Sequence, residues 1–296
     1  MHSGKIINNK NGYDVMDCKK CGFIHVHPYP SDELLEKHYS SEYYTKEKPN
    51  YISEYKKDMD WWKMVYEYRY KIYSNLLKGS NKSILDIGSG PGHFLYIGKN
   101  NEWETLGLEP NIDAYNYSKN DLKLNILNTF YKIGMRFEKK YDVINLGEVL
   151  EHLKDPKLYM EDLVNNLNTN GLVSIIVPND FSPFQKLVNI NSKRKDWWIH
   201  PPIHLNYFTF DSLAKFFKDL GLEIVLSQST FPIEMFCFFG ENYIDSPEFG
   251  REVHKKRMNF EMLLKKHDEK LIYNLYNSFA KLNLGREIFM IAKKIK

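Results

Sequence analysis

Cysteine is scarce: the 296 residues hold three, two of them in one Cys-x-x-Cys. Three cysteines cannot form a disulfide framework, which points to a reducing compartment. Long apolar runs are also missing. The most apolar segment, Phe231 to Gly240, is short, carries Glu234, and falls well below the ~18 residues a membrane span needs. Charge of one sign is absent too, since 41 basic against 38 acidic residues leave only +3. Net charge alone therefore implies neither a nucleic-acid nor a membrane partner. The first ten residues have no apolar h-region, so a chain without a secretory leader, in the cytoplasm, is expected. What the sequence does have is aromatics: 21 Tyr, 18 Phe and 5 Trp within a 43% apolar composition exclude an intrinsically disordered chain. The length suits one large domain, or a medium domain with an appendage.

Three zones follow one another, without internal repeats or low-complexity tracts. Residues 1–78 are rich in Tyr, Lys and Glu and hold the Cys pair and the Pro-broken segment His27-Pro28-Tyr29-Pro30. Ser31 is a plausible N-cap for a helix bearing Leu34, Leu35 and His38, and a long Trp/Tyr-rich helix is expected over Ile52 to Leu77, stopped by Gly79. In the middle zone Ser83–Ile87, Thr105–Glu109, Tyr141–Leu146 and Leu172–Val177 read as strands. Helices are expected after Gly92, and from Asp155-Pro156 to about Asn170-Gly171. This alternation predicts βαβ units and a parallel sheet. In the last zone a Trp-, Pro- and His-rich loop precedes a helix from Thr209 to Leu220, closed by Gly221. Leu222–Thr230 and Glu287–Ala292 read as strands on either side of a helical insertion, about residues 232–283. The expected division is an N-terminal Cys-pair and lid module, 1–78, and a main domain, 79–296.

The segment Ile84-Leu-Asp-Ile-Gly-Ser-Gly-Pro-Gly-His-Phe-Leu95 carries the chemistry. A strand, then Gly-x-Gly-x-Gly, then a helix lets backbone pass close to a ligand at the strand's carboxyl end. Glu109 ends the next strand, where a carboxylate can accept hydrogen bonds from both ribose hydroxyls of a nucleoside. The dinucleotide spacing Gly-x-Gly-x-x-Gly is not met. Asp86, two residues before Gly88, would repel a pyrophosphate but attract a cation or an ammonium group. S-adenosylmethionine offers both a sulfonium and an α-amino group.

Asp86-Ile-Gly-Ser-Gly-Pro-Gly92, Leu108-Glu-Pro110 and Leu146-Gly-Glu-Val-Leu-Glu-His-Leu153, in that order, resemble the successive motifs of class I S-adenosylmethionine-dependent methyltransferases. The resemblance runs from about Ser83 to Asp180 and, by strand pattern, to the C-terminus. It implies an α/β, Rossmann-like seven-stranded sheet with helices on both faces and a reversed last strand. It further implies that Asp86, Gly88 and Gly90 hold the methionine moiety of the cofactor, with Ser89, Gly92, His93 and Phe94 as further cofactor-binding candidates. Glu109 and Pro110 would meet the ribose, Leu146, Gly147 and Glu148 would lie against the cofactor, and Asn125 would stand near its adenine.

Methyl transfer is an in-line displacement, so the protein positions a nucleophile and can remove its proton. Glu148, Glu151 and His152 follow the strand Tyr141–Leu146, at the edge where such folds bind ligands. His152 is the first candidate for general base, because its ordinary pKa lies near working pH. His204, with His200 behind it, is the second, in Trp197-Trp-Ile-His-Pro-Pro-Ile-His-Leu-Asn-Tyr207. The other reading of that loop is rigid aromatic packing on the sheet. Tyr43 and Tyr44 are candidates for a lid. Amino-methylating nucleic-acid enzymes of the class it resembles usually carry Asn/Asp-Pro-Pro-Tyr/Phe after the strand Tyr141–Leu146, where this chain has Asn145-Leu-Gly-Glu148, so the resemblance favours oxygen and carbon acceptors over nucleobase amino groups.

Cys18-Lys-Lys-Cys21-Gly resembles half of a zinc knuckle, with Cys18 and Cys21 as candidate ligands. His2, His25 or His27 would have to complete a tetrahedral set, or the pair is a degenerate knuckle held by packing. Similar N-terminal modules with two such pairs occur in sugar methyltransferases, and this chain lacks the first pair. The expected function is methyl transfer to oxygen or carbon of a small-molecule or sugar-type glycan-precursor acceptor. The competing readings are an RNA-directed methyltransferase, a non-enzymatic adapter that keeps the fold, and a nicotinamide oxidoreductase. The basic clusters Lys193-Arg-Lys195, Lys255-Lys-Arg257 and Lys265-Lys266 are scattered among acids, unlike a nucleic-acid footprint.

Overall fold

Two sheets organise residues 2–47, 50–79 and 82–295, which this computed structural model describes. The chain starts with antiparallel strands β1 (Gly4–Lys10), β2 (Tyr13–Cys18) and β3 (Phe23–His27). Helix α1 (Asp32–Lys37), a π-helical stretch His38–Glu47, α2 (Tyr51–Lys57) and α3 (Met59–Leu77) lead to the main domain. There follow β4 (Ser83–Ile87), α4 (His93–Asn100), β5 (Glu104–Leu108), α5 (Ile112–Asn120), β6 (Ile126–Leu127), β7 (Tyr141–Gly147), α6 (Pro156–Leu163) and β8 (Leu167–Pro178). The last part holds α7 (Pro183–Asn191), β9 (Asn206–Tyr207), α8 (Phe210–Asp219), β10 (Glu223–Ser229), α9 (Met235–Phe238), α10 (Gly250–His267), α11 (Glu269–Lys281) and β11 (Glu287–Lys293).

The larger sheet has the order β10-β11-β8-β7-β4-β5-β6. Its strands are parallel except β11, which runs antiparallel to both β8 and β10. This is the expected seven-stranded sheet with a reversed last strand and a helical insertion before it. Side chains alternate across each strand, so Ile84 and Val143 pack with Tyr70, Tyr73, Phe94 and Leu95 under α3 and α4. Their neighbours Leu85 and Ile144 join Met160, Leu163, Phe216 and Phe217 under α6 and α8. Both faces are covered, which is why the central strands read as continuous apolar runs.

Local signals fixed most boundaries. Ser31, Asp155 and Thr209 each cap a helix, accepting from the backbone N–H of Leu34, Leu158 and Ser212. Two expectations need correction. The helix expected over Ile52 to Leu77 is two helices, broken at Asp58, whose carboxylate accepts from Nη1 and Nη2 of Arg251 on α10. The helix opened by Asp155 ends at Leu163 rather than near Asn170, because Leu167 already pairs with Tyr141 as the start of β8. The small sheet, order β1-β2-β3-β9, and the two-residue β6 were not visible in the sequence. In the small sheet β3 pairs with β9, which matches His25 with Asn206 and Ile24 with Tyr207. Among the described residues, no helix is long and apolar enough to cross a membrane.

Candidate active site

The loop after β4 turns on three glycines in the left-handed region, with φ of 67° at Gly88, 55° at Gly90 and 79° at Gly92. A Cβ on Gly88 would also lie 2.8 Å from Cγ2 of Val149, so glycine is required there by backbone and by space. Asp86 is 4% exposed and its Oδ1 accepts a 2.7 Å hydrogen bond from Nδ2 of Asn145 on β7. Glu109, equally buried, accepts from the backbone N–H of Gly90 at 2.7 Å and of Asn111 at 2.8 Å. Each of its oxygens keeps a further lone pair for a ligand hydroxyl. Burial pushes both carboxyls up to about 7, against the hydrogen bonds they receive.

Orphaned polar atoms surround this loop. The Ser89 hydroxyl and both ring nitrogens of His93 are buried without hydrogen-bond partners. His93 is held as neutral imidazole, burial lowering its pKa to about 4, and lies flat against Tyr55 of α2 with centroids 4.4 Å apart. Two buried carboxylates, orphaned donors and a glycine cradle fit a ligand that brings a cation and hydroxyls, as S-adenosylmethionine does.

The remaining cofactor candidates fall into two groups. Leu146 and Gly147 form the carboxyl end of β7, and Glu148, the next residue, takes a left-handed φ of 57°. Pro110 follows Glu109, and its carbonyl accepts from Nδ2 of Asn128. Phe94 packs in the core, stacking on Tyr70 with centroids 4.8 Å apart, inside the cluster under α3. Asn125 lies below the end of β6 with an exposed side chain, and its carbonyl is taken by the Gly107 N–H. The asparagine at the strand tip is Asn128. Asn145 was missed as the residue that orients Asp86. Its signal was a polar side chain set among the apolar residues Val143, Ile144 and Leu146.

Of the candidates for the acceptor side, His152 has its Nδ1 3.0 Å from the Ile203 carbonyl. A carbonyl only accepts, so in the neutral ring the proton sits on Nδ1. Its Nε2 is 3.8 Å from Oε1 of Glu151, which is 1% exposed and held well above the carboxylate range by burial and by Glu148. The His204 ring meets the His152 ring edge-on at 5.0 Å, and Tyr39 lies 5.2 Å from His152 on another side. His200 is exposed, 6.2 Å from His204. The Trp197 loop packs on the small sheet, where Trp198, Ile199, Leu205 and Tyr207 join Val15 and Val26 in one cluster. Tyr43 lies 6.1 Å from His38, and the Tyr44 side chain is outside the described residues. Cys18 and Cys21 sit at the β2–β3 turn beside His2.

A family model described as a methyltransferase domain matches residues 61–227, more than half of the chain. The chain belongs to this family, within the class I S-adenosylmethionine-dependent methyltransferases. A ubiquinone biosynthesis O-methyltransferase from Rickettsia canadensis (strain McKiel) is 29% identical over 162 residues, 52% of this chain and 68% of that one. Among solved structures, the plantazolicin methyltransferase BpumL with a monoazolic desmethylPZN analog and SAH has the same fold. It is 17% identical, with a TM-score of 0.55 over 89% of this chain and 96% of that chain. BpumL in complex with SAH gives a TM-score of 0.54 at 17% identity, covering 88% and 94%.

Proposed function

We propose that this methyltransferase transfers the methyl group of S-adenosylmethionine to an oxygen or carbon atom of a small molecule, a glycan-precursor sugar included. The bound cofactor supplies an electrophilic methyl on a sulfonium, and the chain's own residues position both partners. Asp86 attracts the cofactor's positive end, with about 4 kcal/mol available from a charge ~4 Å away at an effective dielectric of ~20. Glu109 accepts from the ribose hydroxyls while fixing the Gly90 backbone. His152 takes the acceptor's proton at Nε2, with His204 as the neighbouring wall and Glu148 and Glu151 at the same edge. Residues 1–78 act as a lid module over 79–296, and zinc bound through Cys18 and Cys21 is part of that module.

The observation that carries the reading is the left-handed glycine loop flanked by the buried carboxyls of Asp86 and Glu109, with His152 held at the same sheet edge by its Nδ1 contact to the Ile203 carbonyl. The O-methyltransferase relative supports the oxygen half of the proposal. A nucleic-acid acceptor gains no support: Arg194 and Lys195 are spent on the carbonyls of Ile244, Asn189 and Ile190. The test uses a panel of phenols, sugar nucleotides and carbon acids with labelled S-adenosylmethionine. On the acceptor found, His152→Ala is expected to lower kcat by ~100-fold or more with cofactor affinity unchanged. Full turnover in that variant removes His152 as the base.

A further inference from the structure

Four metal-type donors from three separate places in the first 25 residues meet at one end of the small sheet. His2, Cys18, Cys21 and His25 each bring one ligand atom within 4.8 Å of the others. Nδ1 of His2 lies 3.3 Å from Sγ of Cys21 and 3.7 Å from Sγ of Cys18. Ligand atoms around tetrahedral zinc, at ~2.3 Å for sulfur and ~2.0 Å for nitrogen, are themselves ~3.3–3.8 Å apart. The two His2–cysteine spacings are of that size, and the other donors of the set lie within 4.8 Å.

His25 provides the second observation. It is fully buried, and its Nδ1 donates to the Val26 carbonyl at 2.9 Å, leaving Nε2 buried without a partner. An imidazole with one nitrogen fixed on a backbone carbonyl and the other bare is how a metal-binding histidine is held. The backbone is shaped to the same end. Gly22, at φ 77°, closes the Cys18–Cys21 turn, and its N–H donates to the Cys18 carbonyl. Gly4 passes so close to β2 that a Cβ would fall 1.9 Å from the Asp17 carbonyl oxygen, which lays His2 over the cysteines. His27, the other histidine of β3, is exposed and outside the set.

We infer that His2, Cys18, Cys21 and His25 together form a closed Cys2His2 zinc site, and that the ion clamps the small sheet to the turn carrying His152. The clamp is a chain of contacts. His25 pairs with Asn206 across β3 and β9, and Nδ2 of Asn206 donates to the carbonyls of Leu150 and Leu153, which bracket His152. With all four positions filled by protein, the ion has no open position for substrate and its role is structural. This deepens the zinc part of the proposed function. Metal content and cofactor affinity are measured separately, so either can fail alone.

The test is zinc content by mass spectrometry on the full chain, made with a removable C-terminal tag that carries no histidines. Cobalt substitution adds a spectroscopic readout. Stoichiometric zinc is expected, and the cobalt form should show the intense visible bands of a tetrahedral site with thiolate charge transfer. His2→Ala and His25→Ala should each weaken zinc binding at least ~100-fold, beyond the ~10–100-fold typical of removing a group behind a ligand. His27→Ala should keep the metal. His2 lies outside the core, so its variant separates metal loss from unfolding. Removing zinc should lower the thermal midpoint and raise the acceptor KM, while S-adenosylhomocysteine still binds. A folded wild-type chain with no zinc after incubation with the ion overturns the site. Undiminished affinity in both histidine variants overturns the ligand set, and zinc loss without any change in acceptor KM overturns the clamp.

Discussion

Asp86 and Glu109 are carboxyls that the fold holds in a costly state until a ligand arrives. Their folded pKa values near 7 stand above the ordinary 3.8 and 4.5 because burial penalises the charged form. The ligand-free folded chain therefore keeps protons that the unfolded chain releases between about pH 4 and pH 7. Its stability falls as pH rises through that window and levels off above it. A cation beside Asp86 favours the ionised carboxylate, so the affinity for S-adenosylmethionine should rise about tenfold from pH 6 to pH 8. Calorimetric titration at the two pH values checks this, with Asp86→Asn expected to bind weakly and without that slope. A flat profile in the wild type would detach Asp86 from the cofactor's charge. Asp86 and Glu109 were legible in the sequence because motif order fixes their places at strand ends. Asn145 was not, since its role depends on the β4–β7 register that pairs it with Asp86.

Element boundaries followed from caps, glycines and apolar runs wherever those signals were local. They failed where a distant partner decided. Nothing between Ile52 and Leu77 announces a break at Asp58, the residue whose carboxylate is paired with Arg251, far along the chain. The same junction is tied by Trp61, whose indole N–H donates to Glu261 on α10. Asp58→Ala should cost about 1.5–3 kcal/mol, the worth of a hydrogen-bonded charge pair, and loosen the insertion from α3. Chemical denaturation reads the stability and hydrogen exchange in α10 reads the loosening. Unchanged exchange would mean that Trp61–Glu261 suffices. The small sheet escaped detection because its strands are short and partly exposed, and because β9, its fourth strand, comes from a loop that reads as aromatic packing.

At the scale of the molecule, the parallel order, the reversed β11 and the glycine cradle bring the cofactor-type residues to one edge of the sheet. The small sheet brings His204 and the Ile203 carbonyl to His152 at the same edge. The first half of this was readable from motifs that lie in a single segment each. The second needed β3 to find β9 across most of the chain, which no local pattern encodes. Methyl transfer from S-adenosylmethionine is the claim on which the rest depends. Isothermal calorimetry of the purified chain with S-adenosylhomocysteine, with NAD as the control ligand, tests it most directly. Micromolar binding of S-adenosylhomocysteine and none of NAD is the predicted result; a folded sample that binds neither, or binds NAD alone, would contradict it.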